Sequence, residues 1–111
     1  MNRLRKIRDI QHAISHAEHA FNEKYGLCFN EAMLLCYLKE TSKPITSGEI
    51  SDLLVLSHSN TSKIISSTED KGLIHRELGH DDKRHMYFNL TAKGEEVLNS
   101  IDCSILEIPE L

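Results

Sequence analysis

The segment from Ile50 to Gly94 constrains the fold more than any other part of the chain. A helix is predicted to start after Ser57, whose hydroxyl can cap a helix N-terminus, and to end at Gly72. Its inward stripe is predicted from residues at intervals of three and four: Thr61, Ile64, Ile65 and Thr68. A shorter helix precedes it, introduced by the capping-box sequence Thr46-Ser47-Gly48-Glu49. The order predicts a helix-turn-helix.

The other side of the second helix carries short polar side chains and one lysine. The residues concerned are Ser57, Ser59, Asn60, Ser62, Lys63 and Ser67. Serine and asparagine form helices less readily than alanine, glutamate or lysine, so they are unusual on a helix surface. They suit a helix pressed into the DNA major groove, where hydroxyls and amides bond to phosphates or base edges and Lys63 can reach a guanine or a phosphate. The alternative is a polar face that is only solvated.

A β-hairpin is predicted directly after this helix. Residues 73–78 and 84–90 are rich in β-forming side chains and are joined by the turn-forming residues 79–83. Thr91 then caps a further helix. Two helices followed by a hairpin outline a winged helix-turn-helix, a mainly α fold with a small β-hairpin wing, and the hairpin favours the DNA-reading interpretation over the solvated one.

The sequence resembles the MarR family of bacterial winged-helix transcription regulators over roughly residues 27–101. The residues that carry the resemblance are Glu49-Ile50 with Leu54, Ser59-Asn60-Thr61-Ser62-Lys63, Lys71-Gly72-Leu73-Ile74, Asp82-Lys83-Arg84 and Leu90-Thr91-Ala92-Lys93-Gly94. Each motif is weak alone, but the set in this order is fairly specific.

The resemblance implies a homodimer that binds a pseudo-palindromic operator in double-stranded DNA, and we expect a repressor. Its recognition helix would enter the major groove, and Arg84 at the wing tip would reach the minor groove. Lys83 is a further expected DNA contact, and Asp82 is expected to hold Arg84 in position. A small-molecule effector is a second expected partner.

Two departures from the family pattern affect the expected structure. Val55 stands at the turn position where the family usually has glycine, so another turn shape is expected, because β-branched residues avoid the left-handed region. The last helix is expected to be short, since Pro109 ends it. The expected organisation is one domain, with a dimerisation helix over 1–26, a winged-helix DNA-binding core over 27–90 and a short C-terminal helix, also for dimerisation, over 91–111.

The N-terminal segment reads as one long helix, because about Asn2 to Tyr25 contain no proline or glycine. Seven positions follow a heptad spacing: Leu4, Ile7, Gln11, Ile14, Glu18, Phe21 and Tyr25. Such a stripe needs a partner, either its own domain or a second subunit, and the resemblance favours the second subunit.

Net charge is the main objection to DNA binding. The chain carries −4 at pH 7, whereas phosphate neutralisation dominates affinity for nucleic acid. The excess of acidic residues lies mostly outside the proposed DNA-reading surface, because residues 57–90 have a net charge of zero and residues 91–111 have a net charge of −4. We therefore expect modest affinity per subunit and a need for two subunits. The alternative function is protein binding, by a winged helix that does not bind DNA.

Three histidines, His12, His16 and His19, lie on one face of the N-terminal helix, and Glu23 extends their row. Imidazoles at this spacing could bind a transition metal, but a polar helix flank or a dimer interface is favoured because no further ligand is marked. No cofactor is expected. Four more histidines lie in or near the predicted DNA-reading helix and hairpin: His58, His75, His80 and His85. Each could contact a phosphate or could simply be exposed to solvent.

The cysteines, Cys28, Cys36 and Cys103, form no paired framework or C-x-x-C motif, which fits a reducing compartment. Redox sensing remains an alternative, but structural cysteines are favoured. The chain contains no phosphate-binding glycine loop, metalloprotease motif or serine elbow, so catalysis is not expected. No signal peptide or membrane span is found, and we expect a cytoplasmic protein.

Overall fold

The computed structural model describes residues 2–79 and 85–102. Its elements are α1 (Asn2–Tyr25), α2 (Phe29–Thr41), β1 (Ile45–Thr46), α3 (Ser47–Leu54), α4 (His58–Asp70), β2 (Ile74–Leu78), β3 (Met86–Leu90) and α5 (Ala92–Ser100). This order confirms the predicted winged helix, with a small antiparallel sheet among helices. The last helix, α5, ends at Ser100 and not at Pro109 as expected. The chain forms two compact units, one of Met1–Phe29 with Ile101–Leu111 and one of Asn30–Ser100. No helix in the described part is long and apolar enough to cross a membrane.

Helix α1 in the first unit has the predicted bounds. It ends at Gly26, which adopts φ 69°, and the Gly26 amide donates to the carbonyl of Asn22 at 2.7 Å. The buried ring of Phe21 packs against Tyr25, with 4.8 Å between ring centroids, and against Phe29 at 5.2 Å. Aromatic contacts therefore stabilise the C-terminal end of the helix.

The core of the second unit lies between its helices and one face of its sheet. The buried apolar residues there are Ala32, Leu34, Leu35, Leu38, Ile45, Ile50, Ile65, Leu73, Ile74 and Phe88. The strands are antiparallel in the order β1-β3-β2, and Phe88 on the central strand pairs with Ile45 on one side and with Arg76 on the other. Alternation along β3 directs Phe88 into the core.

Side-chain caps fix the start of both helices of the helix-turn-helix. Thr46 and Glu49 form the predicted capping box at α3, in which the Glu49 amide donates to the Thr46 hydroxyl at 3.2 Å. Ser57 caps α4 as predicted, accepting a hydrogen bond from the Asn60 amide at 3.1 Å. These bonds satisfy amides that have no partner within a helix.

The turn between α3 and α4 corrects one expectation. Val55 was expected to force another turn shape, but it adopts the left-handed conformation, with φ 54° and ψ 50°. Two hydrogen bonds between its ends stabilise the turn. The Ser51 hydroxyl donates to the Leu56 carbonyl at 2.7 Å, and the Leu56 amide donates to the Ser51 carbonyl at 3.1 Å. These bonds hold the backbone in a conformation that valine alone disfavours.

The start of α5 packs tightly on the segment that follows α4. The Thr91 hydroxyl accepts from the Gly94 amide at 2.9 Å, as predicted for a cap, and donates to the Gly72 carbonyl at 2.7 Å. A Cβ atom on Gly94 would lie 2.1 Å from the carbonyl oxygen of Leu73. Glycine is therefore required at this position.

Candidate nucleic-acid interface

Helix α4 presents an exposed polar face. Ser59, Asn60, Ser62 and Lys63 are exposed, and Ser57 is exposed beside them at the cap. The inward stripe is as predicted, with Thr61, Ile65 and Thr68 buried and Ile64 half-buried. The Thr61 and Thr68 hydroxyls donate to the carbonyls of Ser57 and Ile64, so the buried threonines satisfy their polar atoms within the helix. One side of α4 therefore belongs to the core, and the other offers short hydrogen-bonding groups and a cation.

Ser67 does not belong to this exposed face. It is half-buried, and its hydroxyl donates to Oε2 of Glu31 on α2. Ser67 lies about 40° around the helix axis from Lys63, at the edge of the exposed face, and a hydrogen bond to a buried carboxylate directs its side chain inward. We therefore remove Ser67 from the predicted DNA contacts.

Most of the described cations of the second unit are engaged within the chain. The pairs are Lys39 with Glu95, Lys71 with Glu31, Arg76 with Glu69, and Lys93 with the Lys71 carbonyl oxygen. Among the described residues of this unit, Lys43 and Lys63 are the two cations with no ion pair or hydrogen bond of their side chains. Of these, Lys63 lies on the exposed face of α4.

The pair of Glu69 and Arg76 links α4 to β2. Both nitrogens Nε and Nη2 of Arg76 donate to the carboxylate, with the Nε to Oε2 distance at 2.9 Å. The hydrogen bond from Arg76 lowers the pKa of Glu69, and the Glu69 carboxylate raises the pKa of Arg76. The guanidinium carbon also lies 5.4 Å from the centroid of the Phe88 ring. Arg76 is thus tied to the protein and is less available to a phosphate.

The base of the wing is a regular antiparallel ladder. It runs from Ile74 paired with Leu90 to Leu78 paired with Met86, and the Gly79 amide donates to the His85 carbonyl at 3.0 Å. The predicted contacts Asp82, Lys83 and Arg84 lie outside the described residues, as does His80.

Comparison with known families decides the identity of this arrangement. Residues 25–85, more than half of the chain, match the MarR family, and they span both helices of the helix-turn-helix and the first strand of the hairpin.

The chain belongs to the MarR family.

Solved structures of transcriptional regulators share the fold of this MarR-family chain. A DNA complex of MepR from S. aureus has 22% sequence identity and a TM-score of 0.76, over 85% of this chain and 69% of that one. BldR from Sulfolobus solfataricus has 22% identity and a TM-score of 0.74, over 89% and 68% of the two chains. A probable transcriptional regulator from Pseudomonas aeruginosa has 22% identity and a TM-score of 0.72, over 81% and 68%. No curated protein matches the chain.

The histidines of this MarR-family chain are exposed wherever they are described. His12, His16 and His19 project from α1, and Nε2 of His19 lies 3.0 Å from the Glu23 carboxylate. Within residues 2–79 and 85–102, no three histidine, cysteine or acidic side chains are grouped closely enough to hold a metal. His58, His75 and His85 are also exposed.

Two of the three cysteines are described. Cys28 and Cys36 are half-buried, and Cys103 lies outside the described residues. Neither of the two is fully enclosed in the core.

Sequence analysis missed the most buried charged residue of the second unit, Glu31, which is 3% exposed. Nζ of Lys71 lies 2.7 Å and 2.8 Å from its two carboxylate oxygens. Lys71 follows 40 positions later in the chain, so no local spacing or motif marks the pair. The sequence offered one faint signal, an acid in the first turn of a helix whose following positions, 32–38, are mostly apolar.

Proposed function

We propose that this protein is a DNA-binding transcriptional regulator whose helix α4 reads the major groove. The exposed polar face of α4 is the observation that carries the proposal. Ser59, Asn60 and Ser62 are short enough for the helix backbone to approach the base edges, and Lys63 adds the charge that phosphates attract. The Ser57 hydroxyl is exposed at the N-terminus of α4, where amides and the helix dipole also favour a phosphate.

The wing is the second part of the proposed reading surface. Lys83 and Arg84 at its tip would enter the minor groove, and Asp82 would orient Arg84. The β2–β3 ladder supports this proposal, because a regular hairpin gives the tip a rigid base.

A homodimer is the proposed functional form. Residues 1–26 would form a dimerisation helix, 27–90 the DNA-binding core and 91–111 a C-terminal segment that includes α5. Exposed apolar side chains on α1 support the proposal: Leu4 is 66% exposed, Ile7 53% and Ile14 47%. These three belong to the predicted heptad stripe, and such residues on one helix face mark an interaction surface.

Charge also favours two subunits. The second unit offers Lys63 on α4 as its one described reading cation, so a single copy would neutralise few phosphates. Two copies related by a two-fold axis would double the contacts and read a pseudo-palindromic operator. We further propose that the dimer acts in the cytoplasm as a repressor that a small-molecule effector releases.

Selection of bound duplexes from a random DNA pool, at one stated salt concentration, tests the proposal. The expected result is a motif with two-fold symmetry whose half-sites are about one helical turn apart. Recovery of sequences without a two-fold motif would favour the other function, a winged helix that binds proteins alone.

A further inference from the structure

The carboxylate of Glu31 is a buried acceptor on α2 that meets the C-terminal end of the recognition helix. Its side chain is 4% exposed, whereas the Lys71 side chain that pairs with it is 38% exposed. Lys71 donates to both oxygens, at 2.7 Å and 2.8 Å, and the Ser67 hydroxyl donates to Oε2. One carboxylate therefore binds two side chains that are four residues apart, Ser67 in the last turn of α4 and Lys71 at its C-cap.

The same end of α4 is held from a second direction. Nζ of Lys93 donates to the Lys71 carbonyl at 3.0 Å, and the Thr91 hydroxyl donates to the Gly72 carbonyl at 2.7 Å. Charge-assisted hydrogen bonds have narrow distance and angle requirements, whereas apolar contacts tolerate sliding and rotation. The Glu31 bonds thus restrict rotation of α4 about its own axis.

We propose that Glu31 is a positioning residue for DNA reading. By fixing the rotation of α4 through Ser67 and Lys71, it determines which exposed side chains of the helix meet the base edges. The inference rests on the proposed function of α4 and adds a determinant of sequence specificity that makes no DNA contact. A stabilising role alone would not need charges here, because apolar side chains of similar volume often replace a buried ion pair without loss of stability.

The double variant E31Q/K71M separates positioning from stability. Each single variant, E31Q or K71M, leaves a partner without its charge complement, so both are expected to lower the melting temperature. The double variant removes both charges and retains side chains of similar volume, so its melting temperature should return to within about 5 °C of the wild-type value. K39Q is the matched control, because it breaks an exposed ion pair between α2 and α5 and leaves α4 untouched.

Three quantities are measured for each variant: the melting temperature, the ratio of affinities for the selected duplex and an unrelated duplex of equal length, and amide exchange in α4. The affinity ratio cancels the general loss of attraction to phosphates that removal of Lys71 causes. The double variant is expected to lose about tenfold or more in this ratio and to exchange the amides of Glu69, Asp70 and Lys71 about tenfold faster. K39Q should leave both quantities unchanged.

A wild-type affinity ratio in the stable double variant would overturn the proposal, because specificity would then be independent of the ion pair between Glu31 and Lys71. If the double variant fails to fold, S67A provides the test, since it removes only the hydrogen bond from Ser67 to Glu31. The affinity ratio is then expected to fall about threefold. An unchanged ratio would contradict the positioning role of Glu31. If the wild-type protein selects no DNA, the proposed function fails. In that case amide exchange alone tests whether Glu31 positions α4, and protection in α4 of the double variant equal to that of the wild type would refute this role.

Discussion

At the scale of single residues, Val55 holds a backbone conformation that its side chain disfavours. It lies in the left-handed region at φ 54° and is 86% exposed, so its side chain gains little from burial. A β-branched residue there costs about 1–2 kcal/mol, because Cβ approaches the following carbonyl oxygen. The hydrogen bonds between Ser51 and Leu56 offset this cost.

Replacing this valine should therefore stabilise the protein. V55G is expected to raise the free energy of unfolding by about 0.5–1 kcal/mol, since relief of strain exceeds the greater chain entropy of glycine. Urea unfolding followed by circular dichroism measures the change. S42G is the matched control, because Ser42 has the same φ of 54° without a branched side chain and should gain less. A loss of stability in V55G would show that the turn is not strained.

Gly94 marks the opposite case, a position where a single methyl group has no room. G94A would place Cβ 2.1 Å from the Leu73 carbonyl oxygen, which belongs to the backbone and cannot rotate away. The variant is expected to lose about 3 kcal/mol of stability, near the upper end for overpacking.

The matched control is G48A, since a Cβ on Gly48 would meet only the Thr46 hydroxyl at 3.9 Å. Alanine favours helix over glycine, so G48A should be neutral or stabilising by up to about 1 kcal/mol. Thermal unfolding of the two variants makes the comparison, and similar effects from both would refute the close approach of α5 to the segment after α4.

At the scale of elements, local signals in the sequence account for most of the helices. Ser57 and the Thr46–Glu49 box mark helix starts through hydrogen bonds that span three residues, and Gly26 ends α1 through its own backbone freedom. Because the residues that make these interactions are close together in the chain, the sequence predicts them.

The rest depends on contacts that no sequence motif marks. Ser67 turned inward because a carboxylate 36 positions earlier is buried against α4. Val55 kept the left-handed turn because the bonds between Ser51 and Leu56 determine the backbone there. Neither effect leaves a periodic pattern, and both became visible only when the packing of the second unit was known.

The contact of α4 with β2 predicts a dependence of stability on pH. The pKa of Glu69 is lowered in the folded state, mainly by the hydrogen bond from Arg76. Its contribution is therefore fully present above the pKa of the unfolded chain, about 4, and is lost as pH falls through the lower folded value. Arg76 is nearly half exposed, so solvent screening limits the pair to about 0.5–1 kcal/mol.

Urea unfolding of wild type and E69Q at pH 7 and pH 3 tests this contribution. The variant should be less stable than wild type at pH 7, and the difference should shrink at pH 3. E77Q is the control, because Glu77 on β2 is exposed and makes no ion pair among the described residues. A difference between wild type and E69Q that is equal at both pH values would show that the Glu69 charge does not act through Arg76.

At the scale of the whole molecule, the chain carries a net charge of −4, and four of the six described cations of the second unit are bound within the chain. The pairs Lys71–Glu31 and Arg76–Glu69 stabilise the second unit and leave fewer charges for a polyanion. Affinity for DNA is therefore expected to depend on a small number of contacts and on their repetition in a dimer. Lys63, the one cation on α4, should then have a measurable effect on the affinity for DNA.

Lys63 and Lys43 provide the most direct test, because both are cations of the second unit with no side-chain partner among the described residues. Only Lys63 lies on α4. The measurement is the affinity for the selected duplex as a function of salt concentration, for K63A, K43A and the wild type. K63A should weaken binding and reduce the slope of log affinity against log salt by about one for each subunit, whereas K43A should change neither. Equal losses from both variants, or an unchanged slope in K63A, would contradict the claim that α4 reads DNA.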